Sequence, residues 1–188
     1  MIILASKSPR RKELLKILNL KFKVVESDFE EDFSLEYKPL KLIKYFSSGK
    51  ANAVFQKHQN DLIISADTFI VFNNEIIGKP KNKKDASMML KKFSGHKLTV
   101  MTAFTVKNKI KQVTKVVRTK ISFRKISDID IKKYINTKEP LDKAGAFAVQ
   151  GVGAIFIKKI NGDFFNIVGL PISELKIVLE SEFNIKIW

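Results

Sequence analysis

Residues 62–77 read LIISADTFIVFNNEII. Positions 62–66 form an apolar run, typical of a strand covered on both faces, and such a strand needs helices on either side of its sheet. Positions 69–72 continue as strand, and Asn73-Asn74 makes a turn. Asp67 follows directly on the buried run. That is the carboxyl end of the strand, where open α/β sheets place their ligands. An aspartate there can bind a metal or take a proton from water. It can equally begin a turn, a place that favours aspartate.

Outward from this stretch the chain alternates strand and helix signals. Ile2–Ala5 is a short apolar strand, and Ser8 reads as a helix cap with Pro9 at the first helical position. Leu14, Leu15 and Leu18 give that helix a buried face. Phe22–Val25 reads as strand, followed by the acidic Asp28, Glu30, Glu31 and Asp32 and by a helix over Pro39–Lys57. Residues 85–93 are helical in pattern, with Ala86, Met89, Leu90 and Phe93 on one side. Leu98, Val100, Thr102, Phe104 and Val106 alternate as a half-buried strand. A turn at 107–109 leads into another strand toward Phe123, and Ser127-Asp128-Ile129-Asp130 has the form of a capping box. Residues 154–160 read as strand, Asn161-Gly162 as a hairpin signal, and 164–168 as the return strand. A last helix covers about 171–182. The expectation is an α/β fold, one domain over 1–188, built on a single mixed, twisted sheet with flanking helices.

Composition narrows the chemistry. The 188 residues suit one domain with a real core, with room for two lobes. The chain has no cysteine and only His58 and His96, which excludes disulfides, thiolate metal sites and histidine-rich ones. A metal would have to be held by oxygens, which points to magnesium or manganese. The opening MIILA is too short and uncharged for a signal peptide, and no apolar run approaches spanning length, so the expected location is the cytoplasm, with no membrane partner. The net charge of +16 attracts polyanions, nucleic acid included. The lysines are scattered, however, with few aromatics among them to stack bases, and a lysine-rich composition accounts for most of the excess.

Four further segments can carry chemistry. In Ser6-Lys7-Ser8-Pro9-Arg10-Arg11, two arginines stand in the first turn of a helix, at the positive end of its dipole. They weaken the helix unless an anion sits there, and free amides, serine hydroxyls and guanidinium forks together make a phosphate cradle. The other reading is a capped surface helix with two solvated arginines. In Gly78-Lys79-Pro80 the lysine can meet a phosphate as a point charge or simply be solvated in a turn. The segment 142–153, DKAGAFAVQGVG, has small residues and three glycines that let backbone approach a ligand, or merely make a tight connection. Its Gln150 can both donate and accept, which suits the edge of a base. Glu30 or Glu31 can complete an oxygen-ligand metal site with Asp67, or belong to a solvated acidic loop.

Taken in order, these segments resemble the motif set of the Maf family of nucleotide pyrophosphatases. SKSPRRKELL (6–15) resembles its first motif, SADTFIVFNNEIIGKP (65–80) its second, and KEPLDKAGAFAVQGVGAIFIKKINGDFFNIVGLP (138–171) its long third block. The resemblance spans essentially the whole chain. It implies a fold like that of inosine triphosphatases, with an elongated mixed sheet and a central cleft between two lobes. It also implies a divalent cation, Mg2+ or Mn2+, a nucleoside triphosphate as substrate, and the homodimer usual for the family. Asp142 to Gly151 looks like the DKAG-type segment ending in Gln-Gly, which implies dTTP and UTP, and modified pyrimidine nucleotides, hydrolysed to the monophosphate and pyrophosphate. By motif, Asp67 matches the catalytic aspartate. Arg10, Thr68 and Gln150 fall where that group sets substrate preference. Arg11, Lys50 and Lys79 match basic positions of the cleft, and Glu31 is the choice for its acidic position, with Glu30 one residue away.

There are departures. Leu98 stands where the family's SG-x-x-H segment has histidine, Phe147 replaces a usual tyrosine, and Ala148 a usual glycine. The mechanism implied is attack of water on the α-phosphorus. Asp67 positions or deprotonates the water, and as metal ligand it is paired with Glu31. Ser6, Arg10, Arg11, Lys50 and Lys79 hold the triphosphate. Two rival readings are a 7-methyl-GTP-type preference within the family, against which Lys143 and Gln150 argue, and a basic nucleic-acid-binding protein without turnover, for which no recognisable module is present.

Overall fold

In the computed structural model, which describes residues 1–187, seven strands form one sheet. In chain order the elements are β1 (Ile2–Ala5), α1 (Pro9–Lys16), β2 (Phe22–Val25), α2 (Pro39–Lys57), β3 (Leu62–Phe72), β4 (Glu75–Ile77), α3 (Lys83–Phe93), β5 (Lys97–Lys107), β6 (Gln112–Phe123), α4 (Asp128–Asn136), β7 (Ile157–Asn161), α5 (Phe164–Val168) and α6 (Ile172–Phe183), with short 3₁₀ turns between α4 and β7. The strand order is β2-β1-β3-β5-β6-β7, with β4 paired to β3. Parallel pairs (β1 with β2 and β3) and antiparallel pairs (β3 with β4, β6 with β7) coexist, so the sheet is mixed as expected. The chain divides into two compact units. The first gathers Met1–Thr68, Met101–Val117 and the segment from Phe165 onward; the second gathers Phe69–Val100 and Arg118–Phe164.

In the first unit, β1 lies between β2 and β3 in parallel register, Ala5 opposite both Val25 and Ser65. β1 and β2 therefore stop at one level, where Ser6 and Glu26 begin the segments beyond, whereas β3 does not end after its apolar run as the sequence suggested but continues through Asp67 to Phe72. Parallel neighbours require crossovers, which α1 and α2 supply. Ile3, Ala5 and Ile63 pack against Ala51 and Val54 of α2, all of them buried. Every residue of β3 is buried except Thr68. Residues 43, 47, 50 and 54 recur at helical spacing along α2. Ile43, Ser47 and Val54 are buried, and Lys50, on the same stripe, is drawn inward with them.

The acidic segment between β2 and α2 is not loose. The Phe29 ring lies directly over Gly49, where a Cβ would overlap it, and Phe33 packs edge-on to Phe46 at 5.0 Å. Two aromatics spaced four apart thus clip the segment to α2, with Glu31 between them.

In the second unit, β3 and β4 form a hairpin whose turn residues Asn73 and Asn74 both have positive φ. The core is a chain of rings: Phe72 on Phe93, Phe93 on Phe123, and Phe123 on Phe147. Phe147 is buried here, and so is Leu98 on β5, so two of the departures from the family pattern serve packing.

Three sequence expectations need correction. Residues 164–168 form the helix α5, not a return strand. Asn166 is fully buried, and its carbonyl accepts from Thr102, so the segment folds onto β5 rather than extending beside β7. Residues 152–156 are a 3₁₀ turn, and β7 begins only at Ile157. The alternation read over β5 holds for its first half; from Thr102 to Val106 the strand is buried on both faces.

Candidate active site

The site residues of the first unit assemble where β1 ends and β3 runs on past it. Ser8 caps α1, accepting from Arg11 N at 3.4 Å, and Ser6 Oγ accepts from Ser8 N at 3.2 Å. These bonds fix the turn that carries the two arginines. Arg10 is exposed. Arg11 turns inward: its Nε donates to Gly169 O at 2.9 Å, its Nη2 donates to Thr68 Oγ1 at 3.1 Å, and Nη2 lies 4.0 Å from Asp67 Oδ1. Burial pushes the Arg11 pKa down, partly countered by the Asp67 charge. Of the two arginines at the unfavourable end of the helix dipole, the fold itself supplies Arg11 with a carbonyl and a carboxylate. Arg10 remains exposed to solvent.

Asp67 is 8% exposed. Its Oδ1 accepts from Thr68 N at 2.8 Å, and its Oδ2 pairs with Lys50 Nζ at 3.0 Å. The same Nζ meets Glu31 Oε1 at 2.5 Å. Two carboxylates from separate segments therefore converge on one ammonium. Of the two acidic neighbours 30 and 31, it is Glu31 that reaches this point.

The hydroxyls beneath Arg11 have a determined direction. Thr102 Oγ1 donates to Asn166 O at 2.8 Å, which spends its only hydrogen. Thr68 Oγ1, 2.9 Å from Thr102 Oγ1, is thus the donor of that pair, and it accepts from Arg11. The Thr68 hydroxyl has no hydrogen left and can only accept from a ligand. Thr102 and Gly169 were not singled out in the sequence. The one signal was a threonine at an inward position of the alternating stretch from Leu98 to Val106.

Lys79, Lys143 and Gln150 lie in the second unit. Gly145 N donates to Gly78 O at 2.9 Å, tying the segment that carries Lys79 to the one that carries Lys143. Lys143 Nζ is held by its neighbour Asp142 at 2.6 Å from each carboxylate oxygen, and Lys79 is exposed. Gln150 is exposed at the corner of a turn closed by Gly151 N donating to Ala148 O.

The donor set suits a hard divalent cation. Among the described residues no three carboxylate or histidine side chains cluster. Mg2+ and Mn2+, however, are commonly held by one or two carboxylates, with substrate phosphates and water completing the shell. Glu31 and Asp67, which both meet Lys50 Nζ, are the two carboxylates that could hold such an ion. No helix among the described residues is long and apolar enough to cross a membrane.

Comparison with known proteins accords with this geometry. A family model described as Maf-like protein matches residues 1–182. The dTTP/UTP pyrophosphatase of Thermoanaerobacter sp. (strain X514) is 45% identical over 189 residues, covering 99% of this chain and 98% of that protein. That of Methanosarcina barkeri (strain Fusaro / DSM 804) is 47% identical, over 95% of this chain and 92% of its own. A solved nucleoside-triphosphatase / dITP/XTP pyrophosphatase from Mycobacterium abscessus is 13% identical with a TM-score of 0.45, over 66% of this chain and 75% of that one. A match that runs from the first strand to the last helix, with relatives above 40% identity over nearly the whole chain, places the protein in the Maf-like family.

Proposed function

We propose that this protein hydrolyses dTTP and UTP to the monophosphate and pyrophosphate, with Asp67 as its catalytic carboxylate. The observation that carries the reading is the convergence of Asp67, Glu31 and Lys50, beside Arg11, where β3 runs on past the ends of β1 and β2. The relatives at 45–47% identity, named dTTP/UTP pyrophosphatases, support the substrate.

In this mechanism Asp67 orients a water and takes its proton as the water oxygen attacks the α-phosphorus. The bond from the α-phosphorus to the bridging oxygen breaks, and pyrophosphate leaves with the electron pair. Arg10, the amides at the start of α1, Ser6, Lys50, Lys79 and Lys143 hold the triphosphate and stabilise the charge that develops. A divalent cation, Mg2+ or Mn2+, would be held by Glu31 and Asp67 and would supply charge neutralisation on the phosphate oxygens. The net charge of +16 helps draw in a triphosphate at low salt. An acceptor-only Thr68 suits the N3–H of uracil or thymine and disfavours cytosine, whose N3 has no hydrogen to give. Gln150 reads the remaining base edge. The homodimer belongs to the same reading and rests on the family resemblance.

The experiment is a panel of triphosphates, including CTP, GTP and 7-methyl-GTP, incubated with Mg2+ or Mn2+ and with products identified by chromatography. UMP and dTMP with equimolar pyrophosphate are expected. Release of orthophosphate instead, or undiminished turnover by Asp67→Asn, would overturn the reading.

A further inference from the structure

The stem that follows Gln150 is fastened to a single carboxylate. Val152 N donates to Glu139 Oε2 at 2.9 Å and Gly153 N donates to Glu139 Oε1 at 3.0 Å. Tyr134 Oη donates to the same Glu139 Oε1 at 2.8 Å. Tyr134 is rigidly held: it is a buried residue of α4, edge-on to Phe156 with ring centres 5.1 Å apart.

The glycines of this segment serve the anchor rather than a ligand. A Cβ on Gly151 would run into the Glu139 carboxylate, and one on Gly153 would meet Tyr134 Oη at 2.5 Å and Ala148 N at 3.0 Å. Glu139 makes no ion pair among the described residues, and three of its acceptor positions go to this turn and its tyrosine. Desolvation raises its pKa, but the bonds from Gly153, Val152 and Tyr134 outweigh that and leave it lowered, so the carboxylate is ionised at neutral pH.

We propose that Tyr134 and Glu139 form a positioning pair for base selection, which sets the pose of the Gln150 turn without touching the triphosphate. This rests on the reading of Gln150 as a base-contacting residue. It goes beyond that reading because it places part of the selectivity in residues that contact no substrate.

The test compares Glu139→Gln, Tyr134→Phe, Gln150→Ala and the Glu139→Gln/Gln150→Ala double variant. Readouts are kcat and KM for UTP, CTP and GTP and the inhibition constant of pyrophosphate, which probes the phosphate site alone. Glu139→Gln is expected to lower the UTP-over-CTP and UTP-over-GTP ratios of kcat/KM by about tenfold, the scale of one charge-assisted hydrogen bond. The change should come mostly through KM for UTP, with pyrophosphate inhibition unchanged. Tyr134→Phe keeps the ring packing and shifts the ratios in the same direction by about threefold, as for a neutral hydrogen bond. It carries the test if Glu139→Gln does not fold. The double variant should have the ratios of Gln150→Ala alone. Equal loss of kcat on every triphosphate with the ratios intact, or additive loss in the double variant, overturns the proposal. Unchanged ratios in Gln150→Ala would instead overturn the assignment of Gln150, a distinguishable failure.

Discussion

The Lys50 ammonium stands 3.0 Å from Asp67 Oδ2 and is paired at the same time with Glu31 Oε1. A helix residue from the inward stripe of α2 thereby neutralises two carboxylates that would otherwise repel. A divalent cation held by the same two carboxylates would have to compete with it, so under the proposed reading Lys50 would be both a scaffold and a rival of such a cation.

Replacing Lys50 with Met should separate those roles. The variant is expected to lose about 10–100-fold in kcat/KM, because a charge-assisted hydrogen bond contributes about 1.5–3 kcal/mol. Its affinity for Mn2+ in the absence of nucleotide should rise, since two carboxylates are released. Titration calorimetry with Mn2+ reads this directly. Weaker Mn2+ binding in Lys50→Met would show that the lysine assists the cation rather than competing with it.

Thr102→Val tests the direction of the hydroxyl chain. Valine keeps the shape but removes the group that accepts from Thr68 and donates to Asn166 O. A buried partner left without its bond costs about 1–3 kcal/mol, so the midpoint of urea denaturation should fall. The freed Thr68 hydrogen can then be donated to a ligand. The ratio of CTP to UTP turnover should therefore rise in Thr102→Val and stay at the wild-type value in Thr102→Ser, measured by monophosphate release.

Much of this fold could be read from local signals. The strands Ile2–Ala5 and Phe22–Val25, the cap at Ser8 and the helix Pro39–Lys57 follow from apolar period and end chemistry. The return strand at 164–168 misled because FFNIV has the β-branched and aromatic content of a strand, while its fate was decided by a buried contact to Thr102, 64 residues away in sequence. The site divides in the same way. The arginines were visible as polar residues at an element end, and Asp67 as a carboxylate following a buried apolar run, although the strand continues through it. Glu139 and Thr102 were not, because each acts through partners that only the folded chain brings near. The small residues of 142–153 looked like a ligand approach, and for Gly151 and Gly153 the group approached is the protein's own Glu139 and Tyr134.

Gly49→Ala sets helix propensity against the clip that holds Glu31. Alanine favours a helix interior over glycine by about 1 kcal/mol. Its Cβ, however, would overlap the Phe29 ring, which must then leave. The expected outcome is a thermal midpoint close to wild type with kcat/KM reduced by about tenfold, the equivalent of about 1.4 kcal/mol, as Glu31 loses its place on Lys50. Adding Phe29→Ala makes room for the methyl group without restoring the clip, so the double variant should be no more active than Gly49→Ala. Full activity in Gly49→Ala would show that the clip does not position Glu31.

The Tyr134–Glu139 pair predicts a pH window for the stability of the second unit. Glu139 has its pKa lowered from an ordinary value of 4.5, so its contribution is present above that value and is lost as pH falls through the folded pKa. Tyr134 has its pKa raised from 10.0, first by burial and then by its bond to Glu139, so its contribution is present below pH 10 and is lost as pH rises through the folded value. The hydrogen bond needs a protonated phenol and an ionised carboxyl together. The gap in thermal midpoint between wild type and Glu139→Gln should accordingly be widest from about pH 5 to 9 and shrink below about pH 4.5, while the gap to Tyr134→Phe should shrink above about pH 10. Melting curves at matched ionic strength across this range check both edges. A Glu139→Gln gap that persists undiminished at about pH 3.5 would mean that the ionised carboxylate is not what holds the Gln150 turn, because a protonated Glu139 already resembles glutamine in charge.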